Sequence, residues 1–285
     1  MIMNTKRSMR TTSVHDHRGE GDGGGRHVGA VAMPLGPRSA TAVALVSILG
    51  VVAFTWPLYI DADAALARSS DAPWLFAALL PLLLLIVLAQ LAEGTMDAKS
   101  VALLGVLSAV GTGLRVLGGG GGGIEPVFFL FVLAGRALGP GFGFVLGQLT
   151  LLTSALITGG VGPWLPFQML AASWIALFAG MLPPLRGRAE IWMLAAYGAL
   201  SGLVYGLLIN MWFWPFLAHT GSDISFVPGD PLSDNAARYL GFVLATSLGW
   251  DLMRAVFTTV LCLVAGSTVL TSLRRAARRA RFDLR

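Results

Sequence analysis

The 285-residue chain is short of cysteine, of charge and of well-placed histidine, and each shortage removes a class of function. Its single cysteine, Cys262, lies in an apolar run, so no disulfide forms within the chain, and neither a cysteine metal site nor a thiol pair can be built. Three of the four histidines (His15, His17, His27) fall near the N-terminus and the fourth, His219, between apolar stretches, so none sits inside such a stretch as a general base. The phosphate-loop pattern GxxxxGK[ST] is missing, as are HExxH and GxSxG. The chain is therefore expected not to hydrolyse ATP, not to be an enzyme and to carry no cofactor. A short apolar region with a cleavage motif is also missing from the extreme N-terminus, and no cleaved signal peptide is expected.

Charged residues make up 12% of the chain against 55% hydrophobic, and the mean hydropathy is +0.73. That is more apolar surface than one soluble core buries, and a bilayer is its natural solvent. A span needs about 20 apolar residues. Such stretches lie at 41–60, 72–91, 101–117, 164–182 and 191–213, with a hairpin of a short segment at 126–138 and a span ending near 158. The hairpin turns at Gly139-Pro140, where proline cannot continue a helix. A last stretch, 238–273, is longer than a bilayer requires. The expected fold is all-α, a polytopic integral membrane helix bundle of eight spans. Residues 1–38, with a Gly-Asp-Gly-Gly-Gly run and six basic residues, read as a disordered tail, and 276–285 as a basic tail.

A formal charge of +5 and a pI near 10.0 raise the question of nucleic acid, but the basic residues flank apolar segments instead of forming a patch on a soluble domain. Topology accounts for them. With both termini cytoplasmic, sixteen basic residues lie inside: six in the first tail, Lys99, Arg136, Arg186, Arg188 and six after Leu273. Three (Arg68, Arg115, Arg238) lie outside, alongside Asp61, Asp63, Asp71, Glu125, Asp223, Asp230 and Asp234. Positive residues favour the cytoplasmic side, which gives a multi-pass plasma-membrane protein in this orientation.

Within 101–117, Gly105, Ala109 and Gly113 recur every four residues in GVLSAVGTG and form a small-residue face that lets another helix approach closely, inside this bundle or outside it. Six glycines follow, Gly118, Gly119, Gly120, Gly121, Gly122 and Gly123, and then the short segment carrying AGRALGPGFGFVLG at 134–147. This order, closed by three further spans and a basic end, resembles the substrate-binding, or S, component of energy-coupling factor (ECF) transporters, ABC-type importers of vitamins and trace nutrients. The resemblance covers about residues 97–275. It implies a six-helix S-component core at 97–275, to which the two N-terminal transmembrane helices at 39–96 and the long tail are additions. It also implies that Gly105, Ala109 and Gly113 dock on a membrane scaffold subunit coupled to two ATPase subunits. Gly118 to Gly123 would be a lid over a vitamin-like small molecule bound toward the outer side. Two positions where the family usually has alanine are glycine here.

Polar residues inside spans are costly unless they face a cavity or a partner. Asp251 and Arg254 share a face in the middle of 238–273, as a salt bridge pinning the bundle or as ligand contacts. Asn210 and Trp212 sit at the outer end of 191–213 with Tyr205 deeper, where an interfacial aromatic belt and a stacking platform for a planar ring are both open readings. Gln168 and Asn210 offer donors and acceptors to a neutral polar ligand, and Gln148, mid-span, is placed with them among the candidate substrate contacts. Glu125 is open to three readings: it meets Arg115 across the glycine loop, it touches substrate, or it is simply solvated. An intramembrane lipid-modifying enzyme using Asp251 and Arg254, an autonomous secondary transporter and a ligand-free structural partner are the rival readings.

Overall fold

The computed structural model describes residues 36–64, 83, 98–118, 122–217 and 222–281. The expected N-terminal tail, nearly all of the second span at 72–91, and Gly119, Gly120 and Gly121 lie outside those residues. Eight α-helices and no strand occur among the described residues. They are α1 (Pro37–Thr55), α2 (Ala98–Gly118), α3 (Val127–Leu138), α4 (Pro140–Thr158), α5 (Leu165–Met181), α6 (Gly187–Leu217), α7 (Leu232–Thr246) and α8 (Leu248–Arg281). Five helical stretches have the length and apolarity to cross a membrane: Pro37–Leu58, Ala98–Gly118, Pro140–Thr158, Gly187–Phe216 and Leu248–Arg278.

Helix α3 is too short to do so. Its 12 residues reach roughly 18 Å at the standard rise, against a hydrocarbon core of about 30 Å. Apart from Arg136 it is apolar, and ten of its twelve residues are buried, with Phe131, Val132, Leu133 and Ala134 fully enclosed, as such a helix must be. The break to α4 falls where the sequence places it: Gly139 adopts φ 100°, and Pro140 opens the next helix. Small residues then let α3, α4 and α5 close on one another. A Cβ on Gly135 would come within 2.0 Å of the Ala176 carbonyl oxygen, and one on Gly143 within 2.6 Å.

The expected continuous span 238–273 is corrected by the structure. The chain breaks at Ser247 (φ −128°, ψ −18°) into α7 and α8. Helix α7 is amphipathic, burying Tyr239, Phe242 and Val243 while Leu240 and Leu244 stay exposed. No glycine–proline pair or charge stands at Ser247, and the apolar character of both flanking segments concealed the break. Asp251 and Arg254 consequently lie in the first two turns of α8, not at mid-span.

Two ends of the bundle follow from the contacts. Arg136 of α3 and Arg274 of α8 meet Glu190 of α6 at one end, and Glu125 before α3 meets Arg254 at the other. At that second end the turn after α1 joins the segment before α7, through the Gly229 N–H donating to the Ile60 carbonyl and an edge contact between Trp56 and Phe226.

Candidate functional site

The site is built where the glycine loop returns to the bundle. Gly123 takes φ +81°, and a Cβ there would approach the Trp250 carbonyl oxygen to 2.3 Å, so the loop presses backbone to backbone on the first turn of α8. Two residues later Glu125 receives both edges of the Arg254 guanidinium, Nε to Oε2 at 3.1 Å and Nη2 to Oε1 at 3.3 Å. Such fork-on-fork pairing fixes orientation as well as charge. Nη1 of Arg254 donates to Asp251 Oδ1 at 2.6 Å and to the Gly202 carbonyl of α6 at 3.2 Å.

Aromatic faces complete the enclosure. The guanidinium carbon lies 5.3 Å from the Phe128 ring centre and 5.1 Å from that of Tyr205, within the range where a cation is attracted to a π face. These two rings meet edge-on at 4.8 Å. On its other side Asp251 accepts from the Ser247 hydroxyl at 3.1 Å, and Ser247 in turn accepts from the Asn210 amide at 2.5 Å. One polar chain therefore runs from Asn210 through Ser247, Asp251 and Arg254 to Glu125. It places two carboxylates against one guanidinium in a setting where Asp251 is 4% and Arg254 7% exposed. Nearby on α7, burial with the Asp251 charge beside it pushes the Tyr239 phenol above its ordinary pKa, and its hydroxyl donates to the Leu207 carbonyl.

Glu125, Tyr205, Asn210, Asp251 and Arg254 are thus brought together. Gln168 accepts instead from Arg115, at 3.0 Å. The expected Arg115–Glu125 latch is corrected, because Arg115 turns toward α5 while Glu125 is taken by Arg254. Trp212 stands apart in an aromatic cluster with Trp164, Phe167, Phe213 and Phe216. Its indole N–H is buried and finds no partner among the described residues. Gln148, on α4, is fully buried, with neither its amide nitrogen nor its oxygen hydrogen-bonded among them. Leaving such groups unmet costs on the order of 1–3 kcal/mol each, so this amide stands in need of a partner.

Two participants, Ser247 and Phe128, escaped the sequence reading, as did the pairing of Arg136 at the other end of the bundle. Ser247 and Phe128 carry no signal beyond ordinary apolar-segment residues. Arg136 does: a charge in a short apolar helix demands a partner, and Glu190 supplies it at 2.6 Å, shared with Arg274.

On α2, Leu104, Leu107, Ser108, Gly111 and Thr112 are buried. Gly105, Ala109 and Gly113 face the other way and are exposed. Nothing among the described residues lies within 4 Å of a Cβ added at Gly105 or Gly113, whereas at Gly111 it would meet Thr150 at 2.7 Å. The small-residue packing inside the bundle is done by Gly111. Gly118 ends α2 and would meet the Ile124 carbonyl at 2.6 Å, closing the base of the loop.

No group of three or more His, Cys, Asp or Glu side chains able to hold a metal occurs among the described residues. Fold and site together define a polytopic helical membrane protein with a charged network at one end, beside the residues that follow the glycine run. Residues 99–266, more than half of the chain, match the model of the ECF transporter substrate-specific component, and the chain belongs to that family. It is a multi-pass plasma-membrane protein and the substrate-specific part of a transporter that works with scaffold and ATPase subunits. No curated protein and no solved structure matches it.

Proposed function

We propose that this chain captures a vitamin or related micronutrient at the outer face and delivers it by docking α2 on the scaffold subunit, with both termini cytoplasmic. The observation that carries the reading is the Glu125–Arg254 contact, which fastens the end of the glycine loop to α8 beside Tyr205 and Asn210. Opening the loop releases one ion pair and the Gly123–Trp250 contact, a small cost confined to a segment with little apolar burial. The Gln148 amide and the Trp212 indole N–H are buried donors without a partner among the described residues, which a neutral, ring-bearing ligand would satisfy. The exposed face of Gly105, Ala109 and Gly113 supplies a close-approach surface for a scaffold helix.

No observation favours intramembrane catalysis, since both Asp251 oxygens are taken, by Arg254 and Ser247. Mass spectrometry of small molecules retained by the purified protein tests the reading. A single vitamin-sized compound, lost on Gln148→Leu and Glu125→Ala, is the expected result. Retention unchanged in both variants overturns the assigned site.

A further inference from the structure

At the opposite end of the bundle, α6 and α8 leave between them an open groove of about 720 Å³, within the roughly 300–1,000 Å³ range of small-molecule sites. Its rim is cationic. Arg188 is exposed and has no partner among the described residues. Arg274, 38% exposed, gives one edge of its guanidinium to Glu190 and turns the rest outward. Glu190 also lines the groove, but it is buried, and its two oxygens are occupied by Arg136 and Arg274. Three arginines against one carboxylate leave the local charge positive. Below the rim the walls are apolar and outward-facing: Trp192 at 65% exposure and Leu263 at 37%, with Leu270 behind them.

A basic rim over an apolar, outward-facing trough at the end of two spans matches the two-part chemistry of one class of molecule. The geometry points to a bound anionic phospholipid, its phosphate between Arg188 and Arg274 and an acyl chain lying along Trp192 and Leu263. Basic pockets between helices hold such headgroups by charge, and an indole at the interface suits the boundary between headgroup and chain. The site is separate from the Arg254 network and stands whether or not that network binds a nutrient.

Native mass spectrometry of the full chain in mild detergent tests it, with phosphatidylglycerol, phosphatidylcholine of the same chains, and inorganic phosphate as probes. Phosphatidylglycerol is expected to be retained over phosphatidylcholine. Arg188→Gln, an exposed position whose loss spares the fold, should weaken that retention about fivefold, the effect of one interfacial charge; Arg188→Lys should restore most of it and Arg275→Gln, outside the groove, should leave it unchanged. Trp192→Ala should weaken both lipids. Equal retention of the two lipids, an equal loss on Arg275→Gln, or displacement of the lipid by millimolar phosphate alone would overturn the proposal.

Discussion

Removing Arg254 is the sharpest perturbation of the charged network. In Arg254→Gln, Asp251 keeps only the Ser247 hydroxyl and stays 4% exposed in the bundle. A buried charge stripped of its partner costs about 3–5 kcal/mol. Glu125 adds little, because its side chain is 23% exposed and water reclaims it once the loop lifts. The total loss is therefore expected at about 3–5 kcal/mol, nearly all of it owed to Asp251. Adding Asp251→Asn removes the orphaned charge, so the double variant should recover most of that loss and lie within about 1–2 kcal/mol of the parent. Unfolding in mixed micelles of increasing SDS fraction, followed by tryptophan fluorescence, reads both quantities. If Arg254→Gln costs under about 1 kcal/mol, or the double variant is no better than the single one, the network is not a compensated buried charge cluster and the reasoning fails.

Other outcomes follow from single contacts. Gly206→Ala drives a methyl to 2.1 Å from the Asp251 carboxylate, and its thermal midpoint should fall; an unchanged midpoint refutes the tight α6–α8 approach. Gly123→Ala, at φ +81° against the Trp250 carbonyl, should displace the loop and weaken ligand retention more than it lowers the melting temperature, whereas the reverse order would make the turn structural. Gln148→Leu replaces an unmet amide with an apolar group, so stability should hold or rise while ligand retention drops; falling stability would mean the amide already has a partner. Ala109→Leu lies on the exposed face of α2, so the isolated protein should fold normally and fail to co-purify with the scaffold subunit. Intact co-purification with leucine at 105, 109 and 113 together removes the docking assignment.

Helices with firm punctuation were legible in the sequence. The stretches 101–117 and 126–138 were read nearly residue for residue, since the glycine run and Gly139-Pro140 mark their ends in backbone chemistry. Ser247 was not legible: the break inside GFVLATSLGW carries no glycine–proline punctuation and appears only in the backbone angles of Ser247, whose hydroxyl then serves Asn210 and Asp251. Five of the eight residues assigned to substrate came together because polar groups in apolar helices must find one another. The Asp251–Arg254 salt bridge was among the open readings and is present, whereas the reading that matched Glu125 to Arg115 rested on nearness in sequence, and a residue 129 positions away holds it. Facing direction lies beyond one-dimensional spacing, which is why Gly105 and Gly113 could be read as inward or outward until Gly111 was seen to do the inner packing.

The two ion clusters have a joint mechanical consequence. Helices α3, α6 and α8 are riveted together at two levels, through Glu125, Arg254 and the Gly202 carbonyl at one and through Arg136, Glu190 and Arg274 at the other. Such a frame resists shear, because sliding one strut past another breaks a buried charge contact whichever way it moves. Helix α2 takes part in neither rivet and runs directly into the glycine loop. It is held instead by the close packing of Gly111 on Thr150 and by the Arg115–Gln168 hydrogen bond, so displacing it breaks no ion pair of the frame.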